Sequence, residues 1–332
     1  AFHLHSSSPG KGTIVVSLVH FYIWSRLIRD TAFPGGIKST ATYVVILLAV
    51  SFPVSVGIAR LFPLKISYPI LWVAFLWLGM MMLFFFMLLF LDLVKLLVYL
   101  AGKLFAGGTE AVDPERRVFL SRILAAGAST VVIGAAGVGV IKYYARPVVR
   151  RIDLKLKGLP AVFDGFRIIQ ISDLHIGQMM TRETLAELVQ QVNDLKGDLV
   201  AITGDLIDGT TEKLRGCVDP LASLQARDGV FFVTGNHEYY SGVDDWMQKL
   251  GTMGIQWLDN RHVKINRGDE FFYLAGVNDH QGKRFGPDHA ADFQKALGGL
   301  EPDRKTILLA HHPLAVREAA KYQPDIVLSG HT

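Results

Sequence analysis

The stretch FRIIQISDLHIG at residues 166–177 decides how the second half of the chain is read. Residues 166–171 carry the apolar, β-branched pattern of a strand, and that strand runs into Asp173 and His175. The arrangement recurs downstream. Strands expected at 198–202, 229–233, 306–310 and 326–328 lead respectively into Gly204-Asp205, Gly235-Asn236-His237-Glu238, His311 and Gly330-His331. A further strand is expected at 271–275, with helices at 182–195, 244–253, 289–297 and 314–321. Such alternation builds an α/β fold whose sheets carry helices on their faces. Ligands in these folds gather at the carboxyl ends of the strands, so five strand ends that each deliver Asp, Asn or His are expected to converge on one site.

A single strand-end His or Asp is ordinarily a helix cap or a partner for a backbone group. Five together need another explanation, because converged carboxylates and imidazoles repel or stay protonated unless a cation compensates them. Mixed oxygen and nitrogen ligands suit Mn, Fe or Zn. Cys217 is the only cysteine, which excludes a thiolate cluster and an intramolecular disulfide. Two cations would need a carboxylate shared between them and separate ligands on either side, the arrangement that clamps the attacking and leaving oxygens in phosphoryl hydrolysis.

The first half of the chain is of another kind. Half of all residues are hydrophobic, and the excess lies before residue 145. Apolar segments at 41–58 and 69–91 are long enough to cross a bilayer, 123–140 is a span rich in Ala and Gly, and 13–24 is short enough to be an interfacial helix. The expected organisation is a multi-helix transmembrane domain over 1–150, with about four hydrophobic segments, and a catalytic domain over 151–332. Asp92 and Lys95 read as a helix leaving the bilayer into its interface. The net charge of +4 is concentrated where apolar segments end, as at Arg116-Arg117 and Arg150-Arg151. That favours the lipid bilayer as partner, and no nucleic acid is expected. Arg116-Arg117 also has the form of a twin-arginine signal. Retained in the cytoplasm, it would put the catalytic domain outside, at a plasma (inner) membrane, although Arg146, Arg150 and Arg151 pull the other way.

The blocks Asp173-Leu174-His175, Gly204-Asp205-Leu206-Ile207-Asp208, Gly235-Asn236-His237-Glu238, His311-His312-Pro313 and Gly330-His331-Thr332, in this order over 165–332, resemble the calcineurin-like metallophosphoesterase superfamily, in particular its membrane-associated bacterial branch. The resemblance implies an α/β sandwich of mixed sheets flanked by helices. It implies a first metal on Asp173 and His175, a second on Asn236, His311 and His331, and Asp205 bridging the two, with Mn favoured. It implies that His237 faces the leaving group as a general acid, and that a hydroxide bridging the metals attacks phosphorus in line. Relatives usually carry a further His two positions beyond the one matching His331. The chain begins without Met and stops at Thr332, so it is expected to be incomplete at both ends.

The activity this implies is phosphoester hydrolysis, on a phosphodiester or a lipid- or envelope-linked phosphorylated substrate. The alternatives are a pyrophosphatase acting on a nucleotide-linked lipid precursor and a non-catalytic, metal-dependent scaffold. Asp208 and Glu238 are expected to orient loops and imidazoles. His312 is expected to point away from its neighbour His311 by strand alternation. Asn278-Asp279-His280 reads as an ordinary turn, Tyr239, Tyr240 and Trp246 as helix packing, and His3, His5, His262 and His289 as histidines outside any motif.

Overall fold

A computed structural model describes residues 9–62, 64–105, 113–177 and 180–331; His3, His5 and Thr332 lie outside the described residues. The chain divides into two compact units, Ala1–Ala145 and Arg146–Thr332.

In the first unit, α1 (Pro9–Trp24), α2 (Gly35–Leu61), α3 (Leu64–Phe105) and α4 (Pro114–Tyr143) follow one another. Stretches of α2, α3 and α4 are each long and apolar enough to cross a membrane. At 42 residues, α3 is about 63 Å long at 1.5 Å per residue, roughly twice the hydrocarbon thickness of a bilayer. The helices meet through Ile23, Met81, Phe84, Leu88, Ala128 and Val132, whereas Gly127, Gly134, Gly137 and Gly139 of α4 are exposed. Asp92 accepts hydrogen bonds from the Tyr22 hydroxyl at 2.6 Å and the Arg26 guanidinium at 2.8 Å, and Lys95 lies 3.3 Å away.

The second unit contains two four-stranded sheets among its described residues. The first pairs β1 (Ile168–Ile171), β2 (Leu199–Thr203), β3 (Val230–Val233) and β4 (Ile255–Trp257), all parallel. In the second, β5 (Arg261–Arg267) runs antiparallel to β6 (Glu270–Gly276), which continues in parallel to β7 (Thr306–Leu309) and β8 (Ile326–Leu328). Alternate strand residues face opposite ways, and that rule sorts the cores. Leu199, Ala201, Phe231 and Val233 meet Ile265, Phe272, Leu274, Ile307 and Leu309 between the sheets. On the outer face of the first sheet, Val200, Ile202 and Phe232 pack on α5 (Arg182–Asp194) and α7 (Val243–Thr252) through Leu185, Val189, Trp246 and Leu250. On the outer face of the second, Ala275 and Leu308 pack on α8 (Phe293–Leu297) and α9 (Val316–Ala319). The result is an α/β sandwich with helices outside both sheets, one sheet mixed and the other parallel.

The expected helix over 289–297 is shorter than its pattern. Residues Pro287–His289 form a separate turn after Gly286, and the Asp292 carboxylate caps α8 by accepting the Lys295 amide at 2.9 Å. Two strands, β4 and β5, lie where the sequence pattern predicts none. β4 has three residues, and β5 offers the core only Val263 and Ile265 among Arg, His, Lys and Asn, which is the composition of an edge strand.

Candidate metal centre

The carboxyl ends of β1, β2, β7 and β8, with the turn after β3, meet at one edge of the sandwich. His331 donates its amide to the Asp173 carboxylate at 3.0 Å, and His311 donates Nδ1–H to the Thr203 carbonyl at 2.8 Å. Gln170 bridges the two sheets by donating to Thr203 Oγ1 and to the Ser329 carbonyl. Asp173, His175, Asp205 and His331 all have positive φ, between 46° and 54°. Non-glycine residues held there cost of order 1–2 kcal/mol each, and such backbone collects at functional sites because the surrounding structure must enforce it. Close approach also dictates two glycines. A Cβ at Gly235 would strike the Asp205 carboxylate and amide, and one at Gly330 would strike Ser172 and Asp173.

Asp205 lies at the centre. It is buried, its Oδ1 accepts the His237 amide at 2.9 Å, and its Oδ2 lies 3.2 Å from His311 Nε2 and 3.8 Å from His175 Nε2. Two groups of donors share this carboxylate. One comprises Asp173, His311 and His331, the other His175 and His237, and within each group the ligand atoms lie within 4.8 Å of one another. His175 thus groups with His237 and Asp205, and Asp173 with His311, His331 and Asp205. Asn236 is half-buried at the first position of α6 (Asn236–Ser241). Hard carboxylate oxygens mixed with imidazole nitrogens around one shared carboxylate fit a pair of divalent transition metals.

The surrounding groups fix this set. Asp208 accepts from His175 Nδ1 at 3.0 Å and makes a very short contact with His237 Nδ1, so one carboxylate orients both rings. Glu238 is fully buried and accepts four backbone amides, those of Asp205, Leu206, Ile207 and Gly235, at 2.7–3.0 Å. Burial pushes the Glu238 carboxyl up to about 7, opposed by the Gly235 amide and abetted by the charge of Asp205. The sequence does signal this role, since an acid three residues after a helix N-cap commonly reaches back to the cap amide.

His312 was expected to face away, but its ring lies 4.9 Å from that of His331 and 5.0 Å from that of His280. β7 ends at Leu309, so no pleat remains at 311–312 to enforce alternation. Asn278 and Asp279, read as an ordinary turn, are buried and line a cavity beside His311. They follow β6 as the other candidates follow their strands, and that position was the available signal. Trp246 and Tyr239 are buried, as packing residues should be, whereas Tyr240 is 44% exposed with its ring 5.7 Å from that of His237.

Burial pulls the His311 ring down, yet its hydrogen bonds to Asp205 and Thr203 hold it up at about 9. Burial pushes Asp205 up, but His311 and the His237 amide hold it below the usual carboxylate range. Without metal the two form an ion pair. A ring whose folded value is raised above 6.5 contributes stability that is complete below about 6.5 and lost as pH rises through about 9. A cation at Nε2 must displace that proton. Titrating metal into the metal-free protein should therefore release close to one proton per chain at pH 7–8, with affinity rising by about tenfold per pH unit until about 9. Calorimetry in buffers of different ionisation enthalpy measures this, and the absence of proton release would show that metal displaces no proton from His311.

A model of the calcineurin-like phosphoesterase family matches residues 166–332. The chain is 38% identical over 201 residues to the "transmembrane protein with metallophosphoesterase domain" of Danio rerio, covering 58% of this chain and 46% of that protein. It is 37% identical over 248 residues to the Bos taurus protein of the same name, covering 72% and 54%. It is 32% identical over 250 residues to an uncharacterised metallophosphoesterase of Helicobacter pylori, covering 73% and 64%. The chain thus spans about half the length of the animal relatives it matches.

Proposed function

The chain belongs to the calcineurin-like phosphoesterase family, and from that membership we propose that it hydrolyses a phosphoester with two divalent transition-metal ions while its N-terminal helices hold it in a membrane. The position of Asp205 carries this reading, because its buried carboxylate is common to both groups of candidate ligands. In our assignment Asp205 bridges the pair, and Asp173, His175, Asn236, His311 and His331 hold it. When bound, the cations would supply charge neutralisation at the phosphoryl oxygens and acidity to a bound water. Manganese is the ion we favour among Mn, Fe and Zn for this set of three oxygen and three imidazole ligands. Attachment to the bilayer favours a substrate at its surface, a phosphodiester or a lipid-linked phosphate. The test is turnover of aryl phosphomonoesters, phosphodiesters and nucleotide-linked lipids by the manganese-loaded protein. Failure to hydrolyse any of them would sink the reading.

His237 is assigned the proton for the leaving oxygen. With Nδ1 held against Asp208, Nε2 is the nitrogen left to donate. Replacing His237 by Asn should lower turnover by roughly 100-fold or more, as loss of a general acid does, with metal content near that of the unaltered protein. If elemental analysis finds the metals gone, the ring is a ligand instead.

The catalytic unit is assigned to the outer side of a plasma (inner) membrane crossed several times. Arg116 and Arg117 open α4, and basic flanks are retained in the cytoplasm. A reporter that works only after export, fused after Arg151, should be active, and one that works only in the cytoplasm silent. The reverse pattern turns the topology over.

A further inference from the structure

A cavity of about 300 Å³ opens beside His311. Phe293, Leu314 and Ala315 give it apolar walls, while Asp279, His280 and His312 add polar groups to its lining. It is joined to the metal centre by a run of rings. His311 lies 4.9 Å from His331, His331 4.9 Å from His312, and His312 5.0 Å from His280, centroid to centroid. His280 Nδ1 in turn lies 3.3 Å from Asp279 Oδ1.

The hydrogen bonding of this loop is lopsided. Asp279 Oδ1 accepts the Gln281 amide at 2.8 Å, and the Asp279 amide donates to Thr234 Oγ1 at 3.1 Å, so the residue is held in place. Its side chain is fully buried, and Oδ2 has no partner among the described residues. Asn278 Oδ1 and Gln281 Oε1 are likewise buried without partners, while the Asn278 amide group is committed to Asp259 at 2.7 Å. Three acceptor oxygens within residues 278–281 thus lack donors. A buried acceptor left unmet costs stability, more when it is charged. A bound molecule bringing donors would recover that cost.

We propose that this cavity receives the alcohol portion of the phosphoester, and that Asp279 selects an alcohol bearing a hydrogen-bond donor, a hydroxyl or an ammonium, over an apolar one of the same size. The proposal rests on the reading of the chain as a phosphoesterase. The cavity's apolar walls accept the carbon skeleton, and of the three unpaired oxygens those of Asn278 and Asp279 belong to residues that line it and disfavour a skeleton without a donor. Polar sites of this kind discriminate strongly against an analogue that leaves them unpaired.

The experiment compares three phosphonates of similar size, 2-aminoethylphosphonate, 2-hydroxyethylphosphonate and propylphosphonate, binding to the manganese-loaded full chain in detergent, measured by calorimetry. At least one of the first two should bind roughly tenfold or more tighter than propylphosphonate, and which one does so separates the ammonium from the hydroxyl. Asp279→Asn and Asp279→Leu should bring the affinities toward one another. Should those variants fail to fold, the comparison on the unaltered chain decides alone. Equal affinity for all three, or no binding of any, overturns the proposal. Turnover of phosphoethanolamine, glycerol phosphate and propyl phosphate runs alongside. Donor discrimination in binding without hydrolysis of any ester would refute the phosphoesterase reading and keep the pocket, and hydrolysis without discrimination would do the opposite.

Discussion

Replacing Asp205 by Asn is expected to strip the protein of metal and lower turnover by roughly four orders of magnitude. Both oxygens of this carboxylate act as acceptors, Oδ1 from the His237 amide and Oδ2 from His311 Nε2. It is also the one group common to both sets of candidate ligands. An amide keeps the shape but loses the charge, and whichever position takes the NH₂ would turn a donor toward a donor. Two cations at close range need a shared anion to offset their repulsion, and a neutral amide cannot supply it. A factor of 10⁴ corresponds to about 5.5 kcal/mol of barrier, within what loss of two cations from a phosphoryl site would cost. Elemental analysis and the turnover of metal-loaded protein measure the two effects together. Two metals retained, with turnover within tenfold of the unaltered protein, would remove Asp205 from the bridging position.

What could be read from the sequence and what could not divide along a physical line. The strand ends carrying Asp173, Asp205, His311 and His331 were legible because each follows a short apolar run with strand periodicity, and in this fold the ends of such runs share an edge. Strand β5 was not, because Arg261, Lys264, Asn266 and Arg267 hide the two core residues, Val263 and Ile265, whose burial depends on the facing sheet. The side to which His312 turns was decided by where β7 stops, at Leu309, and strand ends are the least legible part of a strand. The grouping of Asp173 with His331, and of His175 with His237, depends on loop backbone at positive φ that no periodicity encodes. Asp279 lies at a strand end like the other candidates, but its significance comes from burial and from an oxygen without a donor, which are properties of the folded chain alone.

Glu238 makes the same point for stability, since its effect depends on four amides brought to it from two loops. In Glu238→Gln the folded unit should lose about 3–5 kcal/mol, and metal affinity should fall with it. Oε1 accepts from Leu206 and Ile207 at 2.8 and 3.0 Å, and Oε2 accepts from Asp205 and Gly235 at 3.0 and 2.7 Å. Glutamine must replace one of these oxygens with NH₂, and either choice sets a buried donor against two N–H groups. Hydrogen bonds to a charged partner contribute about 1.5–3 kcal/mol each, and two are lost. At pH 8, above the value of about 7 to which burial pushes this carboxyl, the glutamate is ionised and accepts on both oxygens. Ionisation of the buried group costs stability that glutamine does not lose, which places the expected loss at the low end of about 3–5 kcal/mol. For a unit of this size the loss should lower the melting temperature by roughly 10 °C. The Asp205 amide is one of the four donors, so its release frees the loop that holds the bridging carboxylate, and metal binding should weaken by about 10- to 100-fold, as it does when the groups supporting a ligand are removed. Thermal melts of metal-free protein isolate the first effect and metal titrations of the refolded variant the second. A variant that melts within about 2 °C of the unaltered protein would mean that Glu238 does not hold these amides in solution.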